Sequence, residues 1–174
     1  VAGRVLAHSA SRGWLDLETI RAMHGCPILS LAIPGCALVD LSWAQTLSTH
    51  SECVRLDLSG APFLTDAAVA LIGKLPQLRE LNLSSCASLS DAALHHLAGV
   101  STLQLLQLEA LPKVTDAGVQ HLEKLPSLRW LSLAALSGCT SIFKHFTLNR
   151  LNGGRIRFNE LFQNVAEHLA LLVE

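Results

Sequence analysis

Hydrophobic positions along this chain recur every 25 residues. The segments 54–78, 79–103 and 104–128 align without a gap, and seven aligned columns are aliphatic in all three segments. Because about half of the chain is hydrophobic, a match at every one of these positions has odds of roughly one in a million by chance. The same columns continue upstream through Leu31 and downstream through Leu131 and Ile156. The chain therefore carries an internal repeat.

Each unit of the repeat combines two hydrophobic periods. Alternating leucines, as in Leu81 and Leu83, predict a short strand with every second side chain directed inward. A hydroxyl–aspartate pair such as Ser90-Asp91 then predicts the start of a helix, since the hydroxyl caps the helix and the carboxylate favours its positive end. The helix is predicted to end near Gly73 in one unit and near Gly99 in the next.

The strand and the helix of one unit cannot bury their apolar faces alone. Neighbouring units must therefore stack, and stacking places their strands side by side in a parallel sheet. The predicted fold is an α/β solenoid of five to six repeats of 25 residues. Its short parallel strands lie on the concave face and its helices on the convex face.

The motif L-x-x-L-x-L-x-x-C from Leu78 to Cys86, followed by S-D-A-A-L, resembles the cysteine-containing class of leucine-rich repeats. That class is known from F-box substrate receptors of ubiquitin ligases and from ribonuclease-inhibitor-like folds, so the resemblance implies a solenoid that binds proteins. It covers residues 28–142. The class cysteine stands at Cys36 and Cys86, whereas other units place alanine or leucine in that column.

The frame divides the chain into three parts. We expect residues 28–142 to form leucine-rich repeats and residues 1–27 to form a degenerate repeat or N-terminal cap, with Leu6 in the repeat frame and a helix over 14–25. Residues 143–174 are expected to form a C-terminal repeat and a capping helix, because apolar spacing over 159–174 predicts an amphipathic helix.

Composition narrows the class of protein. The hydrophobic content excludes a disordered chain, the formal net charge is −1, and no stretch approaches the ~18 apolar residues of a membrane span. We therefore expect no membrane insertion.

Five cysteines without C-x-x-C spacing favour free thiols and an intracellular location, cytoplasmic or nuclear. The alternative is mitochondrial, because residues 1–14 carry Arg4 and Arg12 without an acidic residue, as in the remnant of a transit peptide.

Candidate chemistry is sparse in the sequence. Cys26 and Cys139 fall outside the columns recognised above and are expected to be exposed, whereas the other cysteines are expected to be structural. Three histidines, His95, His96 and His121, are the nearest approach to a metal cluster, but a solvated helix surface explains them better than zinc does. The chain contains no phosphate-binding glycine loop and no nucleophile elbow. We expect no enzymatic activity, no cofactor, no metal and no small-molecule substrate.

The outward-facing strand columns are the best functional candidates. We predict that a protein partner contacts the concave face through polar and apolar side chains at eight positions: Arg55, Asp57, Glu80, Asn82, Leu105, Gln107, Trp130 and Ser132. Two interpretations of Trp130 remain open. It is a binding hot spot on the concave face, or it packs beneath the C-terminal segment.

A basic C-terminal region adds a second candidate surface. Residues 125–158 contain no acidic residue, and the predicted basic patch consists of Lys144, Arg150, Arg155 and Arg157. Such a patch suits an acidic protein, with nucleic acid as the less favoured partner because no base-stacking motif accompanies it. The sequence thus predicts a non-enzymatic protein-interaction module, acting as an intracellular adaptor or F-box-like substrate receptor. The alternative is a structural or assembly subunit of a larger complex, which includes a mitochondrial one.

Overall fold

A computed structural model of the chain describes residues 29–37 and 39–139, together with two short strands at 6–7 and 155–157. These residues form one parallel sheet of seven strands that neighbour one another in chain order. The strands are β1 (Leu6–Ala7), β2 (Ser30–Ala32), β3 (Arg55–Asp57), β4 (Glu80–Asn82), β5 (Leu105–Gln107), β6 (Trp130–Ser132) and β7 (Arg155–Arg157).

Helices alternate with the strands from β2 to β6. They are α1 (Leu41–Leu47), α2 (Asp66–Ile72), α3 (Asp91–Leu97) and α4 (Asp116–Gln120), which continues as a 3-10 helix (His121–Lys124). Each helix packs against its neighbour in the next repeat, so the helices form a layer behind the sheet. This arrangement is the predicted α/β leucine-rich-repeat solenoid. The helices predicted over 14–25 and 159–174 lie outside the described residues, and the three-part division of the chain stays a prediction.

The strand register confirms the 25-residue frame. Leu56 pairs with Leu81, and Leu81 with Leu106, so equivalent leucines form one continuous row across the sheet. The row extends to Ile156 in β7. The first unit differs, because Ala7 rather than Leu6 pairs with Leu31. The offset between Ala7 and Leu31 is 24 residues, so our placement of Leu6 in the repeat frame was wrong by one position. The length of the chain between two strands also sets their register.

A single hydrophobic core lies between the sheet and the helices. Leu81 and Leu83 are fully buried from the strand side, and Leu94 and Leu97 are fully buried from the helix side. Burying a leucine side chain contributes about 1.5–3 kcal/mol relative to leaving it exposed. Because every repeat supplies the same row of side chains, the core is continuous from one unit to the next.

The hydroxyl residues cap the helices as predicted. Thr65 Oγ1 accepts a hydrogen bond from the Ala68 N–H at 3.4 Å, and the hydroxyls of Ser90 and Thr115 accept bonds at the starts of α3 and α4. In α1 the cap is Asp40, whose carboxylate accepts from the Trp43 N–H at 2.8 Å.

Within residues 29–37 and 39–139, left-handed backbone occurs after the strands and not at the helix ends. The residues with positive φ occupy one column of the repeat: Gly35, Gly60, Ser85, Ala110 and Ala135. In that conformation the Gly60 N–H donates to the Ser84 carbonyl of the next repeat at 2.7 Å, which extends the sheet hydrogen bonding beyond β3. Helix α2 ends at Gly73 as predicted, and this C-cap has a right-handed φ of −61°.

Candidate functional site

The strand columns bring the predicted binding residues onto one surface. We use the term sheet face for the outward-directed side chains of β2 to β6 and of the residue two positions after each strand. Register pairing places Arg55 beside Glu80 and Asp57 beside Asn82. It also places Leu105 beside Trp130. Side chains far apart in the sequence therefore lie at neighbouring positions, about 4.8 Å apart between adjacent strands.

An ion pair lies on the sheet face. Arg55 Nε donates to Glu80 Oε1 at 2.9 Å, and the two side chains are 62% and 38% exposed. An exposed pair of this kind contributes little to stability because water and salt screen it. Either side chain can therefore leave this ion pair and bind a charged group of a partner instead.

Asp57 and Asn82 perform the same structural task in successive repeats. Each side-chain Oδ1 accepts a hydrogen bond from the backbone N–H two residues later, at 3.0 Å from Ser59 and at 3.1 Å from Ser84. This turn holds each side chain in place and leaves its second polar atom directed away from the bond. At Asp57 that atom is a carboxylate oxygen, and at Asn82 it belongs to an amide NH2 group.

A shallow groove runs along the sheet face from β2 to β5. Its volume is about 200 Å³, and its polar lining includes Arg55, Asp57, Glu80, Asn82 and Gln107. Leu105 lines its far end. Leu31, Ala32, Leu56 and Leu81 also border the groove, so its polar side chains stand beside an apolar lining.

Leu105 and Trp130 are both half-buried. Leu105 borders the groove, whereas Trp130 lies one strand farther along and pairs in register with Arg155 of β7. Partial burial is compatible with both interpretations of Trp130, the binding hot spot and the residue packed beneath the C-terminal segment, so its role stays a prediction.

Ser132 does not belong on the contact surface. It is only 6% exposed, and its hydroxyl donates a hydrogen bond to Glu109 Oε1 at 2.5 Å. The Glu109 N–H in turn donates to Ser84 Oγ at 3.2 Å. Ser132 therefore holds the Glu109 side chain in position, and the carboxylate of Glu109 takes its place among the sheet-face groups.

The predicted basic patch lies mostly outside the described residues. Lys144 and Arg150 fall there entirely. The backbones of Arg155 and Arg157 form β7, where they continue the columns of Trp130 and Ser132. Two of the four basic residues therefore extend the same strand frame, and the patch as a surface stays a prediction.

The described cysteines are free thiols. Burial raises the pKa of Cys53 to about 11, and it also raises the pKa of Cys86, whose Sγ donates to the Leu58 carbonyl at 3.2 Å.

Cys139 is half-buried rather than exposed and packs against the core. It continues the column of Val114, which the sequence interpretation overlooked. Burial and the nearby carboxylates of Asp116 and Asp91 raise the pKa of Cys139 to about 12. Cys26 lies outside the described residues.

Two of the histidines meet edge to face on the helix layer. The ring centroids of His95 and His121 are 4.9 Å apart, and those of His95 and His96 are 5.9 Å apart. Within the described part of the chain, no group of three or more His, Cys, Asp or Glu side chains is placed to hold a metal ion.

Two exposed apolar side chains were missed in the sequence. Phe63 is 62% exposed and Leu41 is 42% exposed. For Leu41 a signal was present, because the other repeats place aspartates in its column, whereas the column of Phe63 holds Leu38 as well as Ser88 and Lys113. A polar column interrupted by a large apolar residue marks a position where the repeat has been modified.

None of the helices in the described part of the chain has the length and apolar character to cross a membrane.

Comparison with known proteins identifies the fold. No protein-family model matches the chain, and no curated protein matches it. Among solved structures, the chain is similar to one from the yeast Rad7–Elc1 complex, with 22% identity and a TM-score of 0.53 over 75% of this chain and 33% of that one. It is also similar to internalin C2 of Listeria monocytogenes, with 18% identity and a TM-score of 0.52 over 83% of this chain and 76% of that one. These likenesses support the leucine-rich-repeat fold, and this chain spans about a third of the Rad7–Elc1 chain that it matches.

Proposed function

We propose that this chain is a non-enzymatic protein-interaction module that binds a partner through its sheet face. The observation that supports the proposal is the groove from β2 to β5, where side chains from four successive repeats border one depression. A surface built from several repeats suits a large ligand better than a small one, since its polar groups are spread along the solenoid.

The carboxylate–hydroxyl contacts of the described residues have structural explanations. Asp66 binds Ser90, Asp91 binds Thr115, and Glu109 binds Ser132, so each of these contacts ties one repeat to the next. We therefore assign Asp66 and Asp91 to stability. Glu109 ties two repeats together and also contributes its charge to the sheet face, which we assign to recognition.

Within this function, the finer proposal is an intracellular adaptor or an F-box-like substrate receptor. The free thiols of the four described cysteines fit a reducing compartment. One of the similar chains was solved in a complex of two proteins, Rad7 and Elc1. An adaptor of this kind would co-purify with subunits of a ubiquitin ligase in addition to the protein held on its sheet face.

The second candidate is a structural or assembly subunit of a larger complex, which includes a mitochondrial one. The exposure of Phe63 and Leu41 favours it, because large apolar side chains on a surface mark contacts with other proteins. In this case Phe63→Ser would release the chain from the complex while sheet-face variants would not.

The proposal is tested by two matched substitutions. Gln107→Lys adds a bulky charge inside the groove, and Gln120→Lys makes the same change at an exposed position at the end of α4. In capture experiments from cell extract, we expect the same proteins to bind wild type and Gln120→Lys and to be lost with Gln107→Lys. Equal capture by the two variants, or capture abolished by nuclease, would contradict the proposal.

A further inference from the structure

We infer that the groove of the sheet face binds an extended peptide segment that carries a basic side chain and, three or four residues away, an apolar side chain. This inference rests on the proposed function and specifies the partner's chemistry. It derives from the charge of the sheet face, from the amide groups of the groove, and from the position of Leu105 at the β5 end.

The charge of the sheet face favours a cationic ligand. In its described part, the carboxylates of Asp57, Glu80 and Glu109 face a single cation, Arg55. Arg55 is bonded to Glu80 and Glu109 to Ser132. Within residues 29–37 and 39–139, the structure pairs the Asp57 carboxylate with no cation, and one of its oxygens bonds only the Ser59 N–H. A lysine or arginine side chain of a partner would complete this site.

The middle of the groove offers hydrogen bonds suited to a peptide backbone. Register pairing places Asn82 between Asp57 and Gln107. Because the Oδ1 of Asn82 is bonded to the Ser84 N–H, its NH2 group is directed toward a ligand acceptor. The Gln107 amide supplies both a donor and an acceptor. An extended chain presents carbonyl and N–H groups at regular intervals, so two neighbouring amides can bind it irrespective of its side chains.

Asp57 in β3 and Leu105 in β5 set the spacing of the ligand's side chains. Asp57 and Leu105 lie two strands apart across the sheet and two residues apart along it. With strands ~4.8 Å apart and ~3.3 Å per residue, this separation is about 12 Å. An extended peptide covers that distance in three to four residues. The apolar side chain would rest against Leu105, which is half-buried and lines the β5 end of the groove.

The repeat itself supplies matched variants to test this inference. Asp57→Asn removes the charge and keeps the turn, because Asn82 makes the same turn in the next repeat. Asn82→Asp keeps the turn and adds a charge. Glu123→Gln, at an exposed position in the 3-10 helix, serves as a control for charge alone.

The probe is a phage-displayed library of random linear 12-residue peptides, followed by affinity measurements with the selected peptides. We expect enrichment of a lysine or arginine with an aliphatic or aromatic residue three or four positions away. Asp57→Asn should weaken binding about three- to tenfold and Asn82→Asp should strengthen it, whereas Glu123→Gln should have no effect. Enriched peptides that lack a basic residue, or binding unchanged by Asp57→Asn, would overturn the inference. If no linear peptide binds while Gln107→Lys still abolishes capture of a protein, the inference fails and the proposed function stands.

Discussion

The carboxylate of Asp91 accepts two hydrogen bonds from Thr115 in the next repeat. One comes from the backbone N–H at 2.7 Å and the other from the hydroxyl at 2.6 Å. The same pair of bonds joins Asp66 to Ser90, at 2.9 and 2.6 Å. We call this arrangement the aspartate clamp. It connects the start of one helix to the cap of the next helix, so it fixes how successive repeats stack.

Removing a clamp should destabilise the solenoid. Asp91→Ala removes the two charge-assisted hydrogen bonds that the exposed Thr115 donates through its N–H and its hydroxyl. We expect a loss of about 2 kcal/mol in the free energy of unfolding, measured by urea denaturation. A loss below a few tenths of a kcal/mol would mean that water replaces the carboxylate without cost.

The repeat that lacks a clamp offers the reciprocal test. Leu41 occupies the column of Asp66 and Asp91, and the next repeat supplies Thr65 as the hydrogen-bonding partner. Leu41→Asp should create an additional clamp and stabilise the protein by about 1 kcal/mol. Leu41→Asn, which has a similar shape but no charge, is the matched control and should stabilise less. Destabilisation by Leu41→Asp would show that the contacts of Leu41 outweigh a clamp.

The effect of a substitution at Gly118 on stability should depend on the aspartate clamp. A Cβ atom at this position would overlap the Asp91 carboxylate, so Gly118→Ala should displace it and cost about 1–3 kcal/mol. In an Asp91→Ala background the same substitution should cost less. A double-mutant cycle measured by denaturation gives the coupling directly, and strictly additive effects would contradict this account.

The left-handed column predicts opposite effects for opposite substitutions. Gly60 has φ of +69° and Ala110 has φ of +53°, although only glycine adopts this region without strain. Ala110→Gly should therefore stabilise the protein by about 0.5–1 kcal/mol, and Gly60→Ala should destabilise it by about 1 kcal/mol. Thermal and urea denaturation of both variants measures these changes in stability. If the two substitutions change stability in the same direction, the left-handed residues are not strained.

Alkaline pH should weaken the fold through the buried thiols. The pKa of Cys53 is raised from an ordinary 9.0 to about 11, and that of Cys139 to about 12. The folded state therefore retains protons that the unfolded state loses, so the stabilisation is complete below pH 9 and is lost as the pH rises toward 11–12. The chain contains no tyrosine, whose titration would overlap this range. Between pH 8 and pH 10.5, the urea concentration at the unfolding midpoint should fall less in Cys53→Ala than in wild type. An equal fall in the two proteins would contradict the prediction.

Trp130→Ala separates the two interpretations of this residue. If Trp130 is a hot spot, partner binding falls by a factor of ten or more while the unfolding midpoint stays close to wild type. If it packs beneath the C-terminal segment, the substitution should cost about 3–5 kcal/mol in stability. We predict the first outcome, and circular dichroism melting with a binding assay on the same variant decides between them.

Periodicity alone predicted the parts of the fold that depend on repetition. The row through Leu56, Leu81 and Leu106 follows from the 25-residue frame, because equivalent positions in stacked units must coincide. The clamp was not predictable in the same way. Asp91 at the start of a helix is explained equally well by the helix dipole, and its bond to Thr115 depends on how closely successive helices approach.

The errors occurred where the frame is modified. Ser132 is buried and bonds to Glu109 in a neighbouring column, and hydrophobic patterning carries no information on such contacts. The offset of Leu6 depends on the length of one connection. Cys139, in contrast, does follow the frame, and its burial was predictable from the column of Val114.

Site-specific photo-crosslinking tests the central claim most directly. A photoreactive amino acid at position 105 reports on the sheet face, and the same amino acid at position 120 reports on the exposed end of α4. After irradiation in cells, we predict protein adducts at position 105 that are absent at position 120 and absent from position 105 when Gln107→Lys is also present. Adducts confined to position 120, or adducts at position 105 that consist of nucleic acid, would contradict a protein-binding sheet face.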